Sequence, residues 1–386
     1  MKTRVWFLPV GAALLILFLS LWGCGDISVL TALKAAELAA RTHYFLYVTN
    51  YGDGTISAYS INSTTGMLTS FGAPTGSGLS LGLYSDVVDP SGKFLFVANT
   101  NGGVSTLSIN PTSGVLNYVL GSSVPTGTNP NIFVVDPSDR FAYVPNFTSN
   151  NVSEYTINLS TGVLSSSGAT LAELGTGPES AVVDTSGSYV YVTNSDGVYG
   201  YTIDTSSNGT LTKMSSSPFT NVTNAFGIAA DPTGNFVFVT NYSLGTISTF
   251  SIGSLGVLNF VLGSAVATGT QPICVAVDPS GRFAYVANHT GSGLTGSVSA
   301  YSINQSTGVL SPVGGTIATG IEPYCVVVDP SGKFVYVANF TRSPSVPGTV
   351  SVYSINSNSG ALTYLNQYST GLEPSYIAIA KEVTGP

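Results

Sequence analysis

The sequence predicts an all-β chain folded as a seven-bladed propeller of four-stranded antiparallel blades, and three observations carry that expectation. The first is an internal period: YVTN, FVAN, YVPN, YVTN, FVTN, YVAN and YVAN end at Asn50, Asn99, Asn146, Asn194, Asn241, Asn288 and Asn339, spaced 47 to 51 residues apart. One unit of nearly constant size therefore fills residues 43–386 and leaves no room for a second domain. The second is that each unit divides into short runs rich in β-branched and aromatic residues, bounded by turn residues and without a helical period. The third is the way the repeat starts and stops: the chain enters at HYFLYVTN, the middle of a unit, and leaves at PSYIAIA, residues 374–380, the beginning of one. Pairing the two completes the first blade and removes two open sheet edges.

Residues 1–24 are unlike the rest, with a basic MKTR, a long apolar run and LWGC at Leu21 to Cys24. This is the pattern of an export signal, with an uncleaved anchor and ordinary secretion as the alternatives. Leu21-Trp22-Gly23-Cys24 resembles the bacterial lipobox, and the resemblance implies that Cys24 becomes the lipidated first residue of a membrane-anchored envelope protein, in the outer membrane of a Gram-negative cell because Gly25 follows it. Residues 25–42 read as a short helical tether. In the last complete unit, PYCVVVDP (323–330) and KFVYVAN (333–339) flank a Ser331-Gly332 turn, TVSVYSIN (349–356) follows a loop, and ALTYLNQY (361–368) follows Ser359-Gly360. The first segment of a unit is apolar at consecutive positions, as in Val327-Val328, which suits a strand nearest the axis and buried on both faces.

Hydrophobic residues at 43% are ample for a core, whereas only 8% of residues are charged and the formal net charge is −8. Removing the signal takes Lys2 and Arg4 and no acidic side chain. Lys93, Arg140, Arg282 and Lys333 all occupy one repeat slot after the Asp-x-Ser turn, so no basic patch remains for nucleic acid. The turn aspartates Asp89, Asp136, Asp184, Asp231, Asp278 and Asp329 recur in equivalent places, and repetition of that kind marks turn chemistry rather than catalysis. The seven repeat asparagines are expected to bond the backbone of their own loops.

The YVTN phrase, the DPSG turn and the INxxTGxL link, opened by Ile61, Ile109, Ile157, Ile203, Ile252, Ile303 and Ile355, resemble the YVTN-repeat propellers and the seven-bladed lactonase family. That family includes 6-phosphogluconolactonase-like and muconate-lactonising enzymes. The resemblance implies a propeller with its ligand site on the face that carries the loops around each inner strand. In lactonase relatives a histidine often stands beside the proline there. This chain departs from that pattern, with Tyr84, Asn131, Glu179, Phe226, Ile273, Tyr324 and Ser375 in the seven equivalent places.

Lactone opening needs an acid or base for the water proton and a donor for the developing oxyanion. His289 and Arg342 fall in long loops of adjacent blades, with Glu322 beside them, and these three form the candidate catalytic set. Their plain alternative is a solvated histidine and a surface ion pair. His43 starts a strand at the opposite face. Tyr84, Asn131, Glu179, Phe226, Tyr324 and Glu373 form a candidate ligand ring, suited to a carbohydrate, a peptide or a small lactone. Cys274 and Cys325 occupy equivalent positions in adjacent blades and are expected to be small buried apolar residues that do not face each other. No residue cluster calls for a metal, and no motif calls for a cofactor. The expectation is thus a monomeric, lipid-anchored, extracytoplasmic binding or scaffold module, with a lactonase-type ester hydrolase as the alternative.

Overall fold

The computed structural model of the chain describes residues 44–72, 79, 81–171, 175–291 and 293–381. The signal at 1–24, Cys24, the tether and His43 lie outside the described residues. Seven separate sheets follow one another along the chain, each with a core of four antiparallel strands. In the seventh blade these are Pro323–Val328, Phe334–Asn339, Thr349–Ile355 and Leu362–Ser369. Blades 2, 5 and 6 add a fifth short strand, at Val124–Pro125, Val266–Ala267 and Ile317–Ile321, where the linker to the next blade lies against the third strand.

Closure follows the expected route. The last strand, Pro374–Lys381, pairs antiparallel with Tyr44–Asn50, from Tyr44 opposite Lys381 to Thr49 opposite Tyr376. It also reaches blade 2, because the Ser375 hydroxyl donates to the Leu83 carbonyl at 3.1 Å. The chain ends are therefore held inside a sheet instead of standing as two unpaired edges.

The repeat phrases encode the contacts between blades. The tyrosine of YVTN is fully buried and sends its hydroxyl across to the glycine carbonyl of the next blade's TGxL link: Tyr47 to Gly114 at 2.6 Å, Tyr143 to Gly209 at 2.7 Å, Tyr336 to Gly66 at 3.0 Å. Where phenylalanine replaces that tyrosine, at Phe96 and Phe238, a third-strand threonine supplies the missing donor: Thr106 bonds Gly162 and Thr249 bonds Gly308, both at 3.0 Å. A buried carbonyl left without a partner costs about 1–3 kcal/mol, which accounts for the exchange of one hydroxyl for another. The same glycine has no room for a side chain, since a Cβ on Gly66, at φ +74°, would stand 2.4 Å from the Phe334 ring. Each turn aspartate accepts the backbone N–H five residues on, and five of the six also accept the one two residues on, as Asp329 does from Ser331 at 3.1 Å and Phe334 at 2.8 Å.

Two expectations are corrected. The most deeply buried strand is the second, FVYVAN, every residue of which is buried, whereas the inner strand leaves Val327 and Val328 half-buried. The inner strands surround the axial channel, so one face of each looks into a space and not onto a neighbouring sheet. The repeat asparagines mostly tie the second strand to the third instead of bonding their own loops: Asn50 donates to the hydroxyls of Thr55 and Ser57 at 2.9 and 3.0 Å, and Asn339 to those of Thr349 and Ser351. Asn99 accepts the loop N–H of Asn101 at 2.7 Å, and Asn288 and Asn339 accept the linker N–H groups of Gly269 and Gly320, both at 3.0 Å.

Candidate functional site

Each blade brings its chain to the inner strand through one residue in the left-handed region: Gly82, Asn129, Gly177, Asn224, Gln271, Glu322 and Glu373, with φ between +50° and +85°. In most blades the carbonyl of this residue accepts the N–H of the residue just after the repeat asparagine, as in Phe147 to Asn129 and Phe340 to Glu322, both 2.9 Å, and Tyr242 to Asn224 and His289 to Gln271, both 3.0 Å. The bond sets two side chains of every blade on one face. Those two positions after the left-handed residue, from Tyr84 round to Ser375, form an inner ring, and those after the asparagine, namely Tyr51, Thr100, Phe147, Ser195, Tyr242, His289 and Phe340, form an outer one.

Five of the six predicted ligand residues meet here. Tyr84, Asn131, Glu179, Phe226 and Tyr324, with Phe147, line a mouth of about 250 Å³. Below it the channel narrows to about 20 Å³, reaching Cys274 and Tyr376, which is room for about one water. The hydroxyls of Tyr84 and Tyr324 hydrogen-bond across the mouth at 2.7 Å, over a blade whose own inner-ring residue is the small Ser375. Burial is the main cause that raises the pKa of both phenols, so they stay protonated donors. Asn131 donates to the Glu179 carboxylate at 3.3 Å, and its own amide oxygen has no protein partner. Burial raises Glu179 to about 7, against the opposing effect of the Asn131 bond. Phe226 stacks on Tyr242 with centroids 5.4 Å apart. The sixth predicted residue, Glu373, stands instead beside Gly52 and does not line the mouth.

His289, Arg342 and Glu322 do assemble, but behind the ring. Arg342 Nε bonds Glu322 Oε2 at 3.1 Å, with the arginine side chain 58% exposed and the glutamate fully buried. The other glutamate oxygen accepts the Gly293 N–H. His289 is buried rather than solvated, its ring edge-on to Tyr324 at 6.0 Å. Burial lowers its pKa, with the Glu322 charge opposing, so the imidazole is neutral, and its Nδ1 has no partner. None of the three lines the mouth.

Asp86 is a residue that sequence reasoning passed over. It stands opposite the valine of its blade's FVAN phrase, where the other blades have Phe133, Ala181, Ile228, Val275, Val326 and Ile377. It is 2% exposed, neither carboxylate oxygen has a partner, and burial raises its pKa well above the ordinary value. Aligning the inner strands would have exposed it as the one charged residue in its column. The two cysteines are buried and free, and Cys274 Sγ accepts the backbone N–H of Val326 in the next blade at 3.3 Å. Among the described residues no three His, Cys, Asp or Glu side chains are grouped to hold a metal ion.

A closed ring of seven four-stranded blades is the fold that this chain shares with the seven-bladed lactonases. The family described as "Lactonase, 7-bladed beta-propeller" matches residues 84–177 and 260–370, more than half of the chain, and the protein belongs to it. Among solved structures, a Bacteroides fragilis protein provisionally described as a 6-phosphogluconolactonase is similar, at a TM-score of 0.75 and 18% identity over 88% of this chain and 98% of that one. The periplasmic gluconolactonase PpgL of Pseudomonas aeruginosa is similar at a TM-score of 0.70 and 18% identity, over 88% of this chain and all of the other. Identities this low speak for the fold. No curated protein matches the chain.

Proposed function

We propose that the protein is an extracytoplasmic lactone hydrolase acting at the axial mouth, held at the membrane by a lipid on Cys24. The observation that carries this reading is the placement of a half-buried carboxylate, Glu179, beside the Asn131 amide and in one mouth with the Tyr84–Tyr324 hydroxyl pair. Family membership adds weight to hydrolysis over a purely structural role. In this reading Glu179 takes a proton from water, the water oxygen attacks the lactone carbonyl, and a tyrosine hydroxyl or the Asn131 amide donates to the oxyanion. The ring C–O bond then breaks and Glu179 returns the proton to the departing alkoxide. Glu322, Arg342 and His289 support Tyr324 from behind and position it.

The substrate of choice is an uncharged lactone. Among the described residues that line the mouth none is basic, and Glu179 would repel a phosphate dianion, which asks for convergent cations. One observation favours a second reading as a carbohydrate-binding module: aromatic and polar side chains share the mouth, with Phe226 and Tyr242 stacked at its wall. Purified mature protein assayed against neutral and phosphorylated lactones separates the two. Turnover of neutral lactones that is lost in Glu179→Gln supports the hydrolase. Saturable sugar binding without turnover would replace it with the binding module.

A further inference from the structure

The axial mouth, at about 250 Å³, is small for a ligand site, which usually encloses about 300–1,000 Å³. A second depression of about 560 Å³ lies beside it on the loop face, between the loop after Asn241 and the linker into blade 6. Phe226 lines the mouth and Tyr242 lines the depression, and their rings stack with centroids 5.4 Å apart and planes 27° apart. One aromatic wall therefore joins the two spaces. The depression is open because a bridge present between other blades is missing. Between blades 6 and 7 the left-handed residue Glu322 closes the equivalent gap: its carboxylate accepts the Gly293 N–H, and its own N–H donates to the Leu294 carbonyl at 3.1 Å. Between blades 3 and 4, Asn150 Oδ1 accepts the N–H of the left-handed Gly177 at 2.7 Å. Between blades 5 and 6 the equivalent residue is Gln271, whose side-chain oxygen has no protein partner.

We propose that this depression is a subsite for a second sugar, and that the substrate is an aldonolactone carrying a glycosyl substituent. The inference rests on the reading of the mouth as the lactone site. The lactone ring occupies the mouth beside Glu179, the glycosidic link crosses the Phe226–Tyr242 stack, and the second sugar lies against Tyr242. The lining selects this class of group. Tyr242, Ser243, Thr268 and Thr270 offer hydroxyls and Gln271 an amide, groups that both donate and accept as sugar hydroxyls do. Among the described residues that line the depression none is charged, so an anion finds no cation there. Leu244 is the one aliphatic side chain in that lining and stands 64% exposed, so a long apolar chain finds little to bury against.

The test compares glucono-δ-lactone with its 4-O-glucosyl derivative, cellobiono-δ-lactone, and adds a binding arm that needs no turnover. Calorimetry measures the affinity for cellobiitol against that for sorbitol, both uncharged and neither a lactone. The disaccharide is expected to lead by about tenfold or more in kcat/KM and in affinity, the factor that one or two retained hydrogen bonds supply. Thr270→Trp fills the depression, and Gln271→Asn withdraws the amide while keeping a residue type that Asn129 and Asn224 already place in this left-handed position. Each is expected to bring both ratios close to one. If neither lactone is turned over, the hydrolase reading fails and the cellobiitol ratio alone decides the subsite. Equal affinity for cellobiitol and sorbitol overturns the proposal. So does a ratio that both variants leave unchanged, or a preference for an alkyl-substituted lactone over cellobiono-δ-lactone.

Discussion

Asp86→Val tests whether the inner strand tolerates its one buried acid at a cost. Valine has nearly the volume of aspartate and already occupies the equivalent position in blades 6 and 7 as Val275 and Val326. The native carboxyl has no partner at either oxygen, and an orphaned buried polar group costs about 1–3 kcal/mol, so the substitution stabilises by that order even with the acid neutral. A pH-dependent part adds to it. Burial raises the folded-state pKa well above 3.8. Below the unfolded value both states hold the proton and nothing depends on pH. As pH rises, the unfolded chain releases the proton while the folded chain keeps it, so wild-type stability falls by about 1.4 kcal/mol per pH unit until the folded pKa is reached. Asp86→Val lacks this slope. Urea unfolding followed by far-UV circular dichroism between pH 4 and pH 7 reads the difference directly, and both tryptophans, Trp6 and Trp22, precede the propeller, so fluorescence offers little. The gap between the two proteins is expected to widen with pH. Parallel curves, or a less stable Asp86→Val, would refute the reasoning and mark the carboxyl as ionised and bonded in solution.

Glu179→Gln is expected to lower kcat/KM for neutral lactones by about a hundredfold or more, and the wild-type profile is expected to rise with pH through about 7, where the carboxyl becomes the base; a wild-type profile flat across neutrality excludes this role. Ile377→Ala removes a side chain 2% exposed in the closing strand and is expected to cost about 2–5 kcal/mol, while deleting 374–386 leaves blade 1 without its inner strand and yields aggregated protein; a truncated chain melting at the full-length temperature would contradict the closure. Cys24→Ser is expected to release the protein from membranes, and unchanged retention with the same mobility would point to an uncleaved N-terminal anchor.

The periodic part of this protein is written in its sequence because each repeat solves the same local problem. The Asp-x-Ser/Thr turn, the Tyr-to-glycine bond and the closing strand Pro374–Lys381 depend on residues that recur at fixed spacing, so seven blades and their closure follow from counting. The ring Tyr84, Asn131, Glu179, Phe226 and Tyr324 was legible for the same reason: equivalent positions in a closed ring must meet at its axis. Three features were decided by the tertiary structure. His289 reads as an exposed loop residue but is buried, its ring packed edge-on against Tyr324 of the neighbouring blade. Cys274 reaches the Val326 backbone 52 residues further on, because neighbouring inner strands stand side by side at the axis. The Glu179 carboxyl is raised to about 7 through desolvation, a property of the walls that the other blades build around it. Spacing along the chain sets which residues are equivalent, whereas distance from the axis, burial and the partner across the ring exist only once the ring has closed.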